Sequence, residues 1–123
     1  MDYQILLNDG AIITLNQTSD FNSDGTFTKF KGSNLVSIKV GDSLLSLNTI
    51  TAILPVGDAL IDLDYELTLH TGLKVSKGTH NQIDLFKVDN EINKEAFFEF
   101  GGGLFNRNLF NKIVPNPAKQ QTA

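Results

Sequence analysis

The stretch that decides the fold is IDLDYELTLH, which spans residues 61–70. Every second residue in it is apolar, and the residues between them are charged or polar: the apolar set is Ile61, Leu63, Tyr65, Leu67 and Leu69, and the polar set is Asp62, Asp64, Glu66, Thr68 and His70. This period of two predicts a β-strand with one buried face and one solvated face. Thr71-Gly72 predicts a turn after it, and residues 73–76 predict the returning strand.

The same pattern continues outward in both directions along the chain. Further strands are predicted over residues 3–7, 11–15, 26–31, 35–40, 43–47, 49–54 and 82–88, with Gly, Asn, Asp or Pro between most of them. Asn8-Asp9-Gly10 is a strong hairpin signal, because Asp and Gly both tolerate positive φ. We therefore predict a mainly β fold of six to nine strands, an antiparallel sandwich or a partly open barrel, with a short helical C-terminal segment.

Two of the predicted hairpins resemble each other. Residues 5–10 can be laid over residues 67–72, which also places Ile13 over Val75. An internal duplication would explain this match. Two unrelated hairpins of one β protein often look equally similar, so both explanations stay open at this point.

The last quarter of the chain has a different character. Asp89 or Asn90 is a candidate N-cap for a helix running to about Phe100, and a strand over residues 97–100 is the competing interpretation. Gly101-Gly102-Gly103 predicts a flexible joint. The four-residue spacing of Phe105, Leu109 and Ile113 predicts a short helix after it. This pattern divides the chain into a β domain, residues 1–100, and a Gly-hinged C-terminal arm, residues 101–123.

Composition and charge narrow the functional classes. The 123 residues include no cysteine, which excludes thiol catalysis and cysteine-ligated metals. They also include no apolar run long enough to span a membrane. No basic leader precedes the first strand, so we expect a protein that is cytoplasmic when made and that can be incorporated into a virus particle. Residues 1–100 hold all 14 acidic and seven of the ten basic residues, whereas residues 101–123 hold Arg107, Lys112 and Lys119 and no acid. The basic residues form no run, so a nucleic-acid partner is disfavoured.

The catalytic and metal-binding motifs are missing or incomplete. The sequence contains no nucleophile elbow, phosphate-binding loop or dinucleotide fingerprint, so we predict neither an enzyme nor a cofactor. Asp20, Asn22 and Asp24, followed by Gly25, match the opening of a calcium loop, but Lys31 stands where the bidentate glutamate belongs. We therefore predict a solvated turn there and no metal.

The acidic face of residues 61–70 has several interpretations. Asp62, Asp64 and Glu66 would lie about 7 Å apart along one face of a strand, with His70 continuing it. Paired carboxylates can perform acid–base chemistry or hold a metal, and an acidic patch can receive a basic segment of a partner. A solvated face that discourages aggregation is the simplest interpretation.

The function that these features favour is structural. We predict a small β-domain that oligomerises or docks on a larger assembly, with other copies of itself or neighbouring assembly proteins as partners. Twelve Asn against one Arg indicate an AT-rich genome, which makes a phage virion component the most concrete expectation. The predicted partner-binding residues lie in the arm: Phe105, Arg107, Leu109, Phe110 and Ile113. The alternative for the phenylalanines is that they close the domain's own core. The alternative function is a small β-barrel binding module or regulator acting on nucleic acid or a protein partner.

Overall fold

The computed structural model describes residues 2–15, 37–40, 43–57 and 59–119. These ranges contain ten strands, whose bounds are β1 Asp2–Leu7, β2 Ile12–Leu15, β3 Ser37–Val40, β4 Ser43–Ser46, β5 Ile50–Val56, β6 Ile61–Leu69, β7 Lys74–Gly78, β8 Phe97–Phe100, β9 Gly103–Asn106 and β10 Phe110–Pro115. All pairings among them are antiparallel. The predicted mainly β class is confirmed, and the sheets stay open. The predicted number of strands, six to nine, was too low.

Helical structure in these ranges is short. One α-helix, α1, spans Leu85–Lys94, and three single-turn 3-10 helices span Leu47–Thr49 (η1), Arg107–Leu109 (η2) and Pro117–Lys119 (η3). Asp84 caps α1, because its side chain accepts hydrogen bonds from the backbone N–H groups of Phe86 and Lys87. The predicted caps at Asp89 and Asn90 were therefore wrong, and α1 occupies part of the strand predicted over residues 82–88.

The strands form three sheets. Among the described strands, a five-stranded sheet has the order β2-β1-β5-β9-β8, a three-stranded sheet has the order β10-β6-β7, and β3 and β4 form a two-stranded sheet. The central strand of the largest sheet, β5, pairs with β1 on one side and with β9 on the other. The large sheet therefore joins the beginning of the chain to its last quarter.

The described strands fall into two units with the same order and the same pairing within each unit. The first copy comprises β1 to β5, and the second comprises β6 to β10. In the first hairpin Ile5 faces Ile13, and in the second Leu67 faces Val75, an offset of 62 residues on both strands. The backbone N–H of Leu7 donates to the Ala11 carbonyl. The equivalent bond runs from Leu69 to Leu73 at the same offset. The similarity of the two hairpins in sequence therefore extends to their hydrogen bonding.

The remaining strands of the two units correspond at an offset of 60 residues. In the first unit Ser37 faces Ser46 and Val40 faces Ser43, and in the second Phe97 faces Asn106 and Phe100 faces Gly103. Strands β5 and β10 then return along β1 and β6. Tyr3 faces Pro55 in the first unit, Tyr65 faces Pro115 in the second, and both ladders carry an irregularity near their other end.

Each unit crosses from one sheet to another through its 3-10 helix. The backbone N–H of Asn8 donates to the Thr49 carbonyl at the end of η1, at 2.8 Å. The N–H of His70 donates to the Leu109 carbonyl at the end of η2, at 2.7 Å. Each bond ties a hairpin turn to the start of the returning strand. The same hydrogen bond therefore fixes the position of the returning strand in both units.

The two units share their cores. The first cluster contains residues of β1, η1 and β5 together with Phe97 and Leu104 from the second unit. The second cluster centres on β6, β7, β8, β9 and α1 and also takes Ala52 from β5. The Asn106 side chain adds a buried polar link, since its Nδ2 donates to the Ile50 carbonyl at 3.1 Å. The β8–β9 hairpin therefore lies between the two cores and contributes to each.

The glycine segment is a tight turn in the structure. Gly101 and Gly102 connect β8 to β9 with φ of 60° and 95°, the positive values that a two-residue hairpin turn of type I′ requires. The prediction of a flexible joint was therefore wrong. The helix predicted over residues 105–113 was also wrong, since strand, 3-10 turn and strand fill this range. The four-residue spacing arose because Phe105, Leu109 and Ile113 lie in three different elements, β9, η2 and β10, and not on one helix face.

The apolar face of β6 agrees with the prediction at four of its five positions. Leu63, Leu67 and Leu69 are at most 1% exposed and Tyr65 is half-buried, but Ile61 is 45% exposed. Ile61 lies at the start of the strand, where it faces Gly78 at the end of β7. A facing glycine has no side chain with which to cover it.

Candidate interaction surface

Phe105, the first of the predicted partner-binding residues, lies inside the protein. Its side chain is fully buried in the second cluster. Its ring centroid lies 5.7 Å from that of Phe98 and 6.3 Å from that of Phe100. Tilted and edge-on contacts at such distances are the favourable arrangement for aromatic rings in a core. In this structure Phe105 therefore closes the chain's own core, the alternative that the sequence left open.

The other four predicted residues lie nearer the surface. Leu109, Phe110 and Ile113 are half-buried and pack against the second cluster, and Arg107 is exposed on η2. The Phe110 ring meets Phe98 edge-on at 5.7 Å. Arg107 and Leu109 belong to η2, and Phe110 and Ile113 belong to β10, which pairs with β6. The boundary predicted after residue 100 falls within the turn of the β8–β9 hairpin.

Two strand edges distinguish one unit from the other. Strands β5 and β9 pair with each other, Ala52 facing Phe105 and Ile53 facing Leu104. Their equivalents are β10 and β4. Within the described ranges, β10 pairs only with β6 and β4 only with β3. In the part of the chain that the structure describes, β4 and β10 therefore each have one edge without a partner strand, whereas the same edges of β9 and β5 are paired.

Residues on β4 and β10 are more exposed than their equivalents on β9 and β5. All four residues of β9 are buried, whereas Leu44 on β4 is 73% exposed. Strand β5 is buried along most of its length, whereas Asn111, Lys112 and Pro115 on β10 are exposed. A leucine in the middle of a short edge strand is the kind of residue that a partner strand covers. We define the β4 and β10 edges together as the open-edge pair.

Leu44 was missed by the sequence reasoning. The signal that points to it is the match between residues 44–55 and 104–115, in which Leu44, Asn48, Ile53 and Pro55 recur as Leu104, Asn108, Ile113 and Pro115. This match lies in a region that the strand and helix predictions divided differently in the two halves. Residues 105–113 were predicted to be helical and residues 49–54 to be a strand, and this difference hid the match.

Other large apolar side chains are exposed away from the open-edge pair. Phe86 is 89% and Leu85 41% exposed at the start of α1, and Ile12 is 57% exposed on β2. Phe86 and Leu85 are neighbours and form a small apolar patch. This patch is an exposed apolar surface separate from the open-edge pair.

The acidic face of β6 receives the C-terminal lysine of the same chain. Lys119 Nζ lies 2.9 Å from Asp64 Oδ1, and Lys77 Nζ lies 3.9 Å from Asp62 Oδ1. The hydrogen bond from Lys119, together with one involving Asn81, holds the pKa of Asp64 below its ordinary value of 3.8. The basic end of the chain thus lies on the acidic strand of its own body, as a solvated ion pair.

The clefts in the described part of the chain are small. One of about 230 Å³ lies beside α1 and is lined by His80, Glu91 and Glu99 among other residues. Imidazole and carboxylate groups are the residue types that acid–base chemistry uses, and here they line one cleft. In the ranges described, no three His, Cys, Asp or Glu side chains converge as metal ligands. Asp20, Asn22 and Asp24, the weak calcium candidates, lie outside the described residues.

Comparisons with family models, with curated proteins and with solved structures find no match to this chain. None of the helices in the described ranges is long and apolar enough to cross a membrane.

Proposed function

We propose that this chain is a non-enzymatic structural protein that assembles with other copies of itself. The observation that supports the proposal is the open-edge pair. Among the described residues, β4 and β10 each have one edge without a partner strand, although the equivalent strands β9 and β5 pair with each other at that edge. A protein that exposes both halves of a pairing it makes elsewhere is suited to make that pairing between molecules.

The apolar content of the open-edge pair supports the same proposal. Leu44 is exposed on one edge, and the half-buried Ile113 lies on the other. Main-chain hydrogen bonds along an added strand supply affinity that salt screens weakly, and buried leucine and isoleucine add to it. We therefore expect an assembly that persists at high ionic strength. A virion component, such as a phage particle protein, is the most concrete form of this proposal.

The test is the molar mass of the full chain, measured by light scattering over a range of concentrations at low and high salt. We expect species larger than the monomer that persist at about 1 M salt, where the Debye length is about 3 Å. Electron microscopy of the same sample then shows whether the species are rings or filaments. A chain that is monomeric at every concentration and retards a labelled oligonucleotide would instead favour the small-barrel binding module.

A further inference from the structure

We infer that β4 of one copy pairs with β10 of the next, in the register that β9 and β5 already adopt within the chain, so that copies join head to tail. This inference rests on the proposed self-assembly and specifies its contact. The observation behind it is the correspondence of the two units, because every residue in the β5–β9 pairing has an equivalent on β10 or β4.

The register follows directly from that correspondence. Within the chain Ile53 faces Leu104, and Ala52 faces Phe105. The offset of 60 residues turns β5 into β10 and β9 into β4. Ile113 of one copy would then face Leu44 of the next, and Lys112 would face Leu45. The extended sheet would have the order β7-β6-β10 followed by β4 and β3 of the second copy, the counterpart of β2-β1-β5-β9-β8.

The core contacts agree with this register. Leu104 packs in the first cluster beside Ile53, and both are 0% exposed. Ile113 packs against the second cluster and remains half-buried. Residues directly opposite each other on paired strands lie on the same face. Leu44 of the next copy would therefore extend the second cluster at Ile113, as Leu104 completes the first cluster at Ile53.

The proline of β10 is compatible with this pairing. Pro115 corresponds to Pro55, and each faces a tyrosine of its own unit, Tyr65 and Tyr3 respectively. Strand β5 pairs on both sides with Pro55 in place. A proline at this position therefore leaves room for the second partner strand.

Lys112 makes the contact weaker than its internal counterpart. It stands at the position of Ala52, which is fully buried. Lysine on an edge strand opposes indiscriminate strand pairing. Its long aliphatic stem can nevertheless lie along apolar surface while the ammonium group reaches water. The intermolecular pairing would thus be selective and reversible, whereas the internal one is permanent.

The contact has a direction. The surface that inserts, β4, belongs to the first unit, and the surface that receives, β10, belongs to the second. Such a heterologous contact leaves one unused surface at each end of a chain of copies. It therefore continues until the copies close into a ring or grow as a filament.

Cysteine cross-linking tests the register, because the chain has no cysteine of its own. Facing Cα atoms on antiparallel strands lie about 4.5–5.5 Å apart, within the range that a disulfide spans. A chain carrying Leu44→Cys, mixed with a chain carrying Ile113→Cys, should give the mixed disulfide in preference to both symmetric ones. The control replaces Leu44→Cys with Ile12→Cys, which is also exposed, and should give no such preference. One chain carrying both Leu44→Cys and Ile113→Cys that closes an internal disulfide as a monomer would overturn the inference.

Complementary capping tests the direction. Leu44→Asp should weaken self-association at least about tenfold, because it places a charge where a leucine is buried. Ile113→Asp should do the same through the opposite surface, with thermal melting to verify that it folds. Each variant alone should remain monomeric, and an equal mixture should give dimers and nothing larger.

If the original chain assembles and Leu44→Asp assembles equally well, the head-to-tail contact is wrong and the proposed function stands. Loss of assembly in Phe86→Ser together with its retention in Leu44→Asp would move the contact to α1. If the original chain itself stays monomeric, the proposed function fails together with the inference.

Discussion

Leu44 and Leu104 occupy the same position in the two units of this chain, yet Leu44 is 73% exposed and Leu104 is 0% exposed. Leu104 faces Ile53 across the β5–β9 pairing, and Leu44 faces no residue on the corresponding side in the part of the chain that the structure describes. Leucine at this position is therefore part of the core in one unit and exposed in the other. This difference makes the pair a direct measure of what the internal pairing contributes.

Truncating the two leucines should change the free energy of unfolding by very different amounts. Leu104→Ala should lower the free energy of unfolding by about 2–5 kcal/mol, because it leaves a cavity in the first cluster. Leu44→Ala should change it by less than about 0.5 kcal/mol in the monomer. Chemical denaturation at a concentration low enough to suppress association measures both. Equal losses from the two substitutions would show that Leu44 is buried within its own molecule.

Replacing Lys112 with alanine should strengthen self-association. The substitution gives β10 the residue that β5 carries at the corresponding position, Ala52, and removes a charge that opposes strand pairing. We expect a dissociation constant lower by about threefold to tenfold, measured by sedimentation over a dilution series. Lys74→Ala, which removes an exposed lysine from β7, is the matched control and should leave the constant unchanged. A weaker assembly in Lys112→Ala would show that the ammonium group makes a favourable contact between copies.

Deleting residues 104–123 should unfold the protein. The sequence pattern suggested that the segment is a removable arm, and in that case the deletion would leave a folded domain unable to assemble. In the structure the deletion removes Leu104 and Phe105, both fully buried, and all of β10. Far-ultraviolet circular dichroism and thermal melting should show a loss of the cooperative transition. A truncated chain that melts cooperatively near the parent temperature would restore the arm interpretation.

The period-two stretches could be predicted from the sequence because apolar and polar residues alternate along each strand, although Thr68 on the polar face of β6 is buried, at 7% exposed. Residues 61–69 gave both the strand and its buried face, with Ile61 as the exception at the strand end. The turn at Gly72 followed from glycine's tolerance of positive φ. Such local signals need no knowledge of the partner strand.

The last quarter could not be predicted in the same way, because its meaning depends on partners far along the chain. Phe97 faces one core and Phe98 the other, so consecutive apolar residues hide the alternation. A strand buried on both faces is hard to distinguish from a helix by periodicity alone. The open-edge pair could not be predicted from the sequence for a related reason. The exposure of Leu44 is informative only beside the burial of Leu104, and that comparison needs the register of the two units.

The ion pair between Asp64 and Lys119 gives a prediction about pH. The pKa of Asp64 is lowered in the folded chain, chiefly by the hydrogen bond from Lys119. A carboxylate with a depressed pKa in the folded state stabilises that state above its unfolded pKa, and the contribution is lost as the pH falls through the folded value. Lys119→Ala should therefore return the pKa of Asp64 toward 3.8 and reduce the loss of stability in the window below that pH.

Titration of the Asp64 carboxyl by NMR measures the shift, and Lys77→Ala, which removes the partner of Asp62, should leave it in place. Because Lys119 and Asp64 belong to one chain, dilution should not change the shift either. A shift that disappears on dilution would mean that the lysine reaches the acidic strand of a neighbouring copy, as the charge distribution along the sequence first suggested.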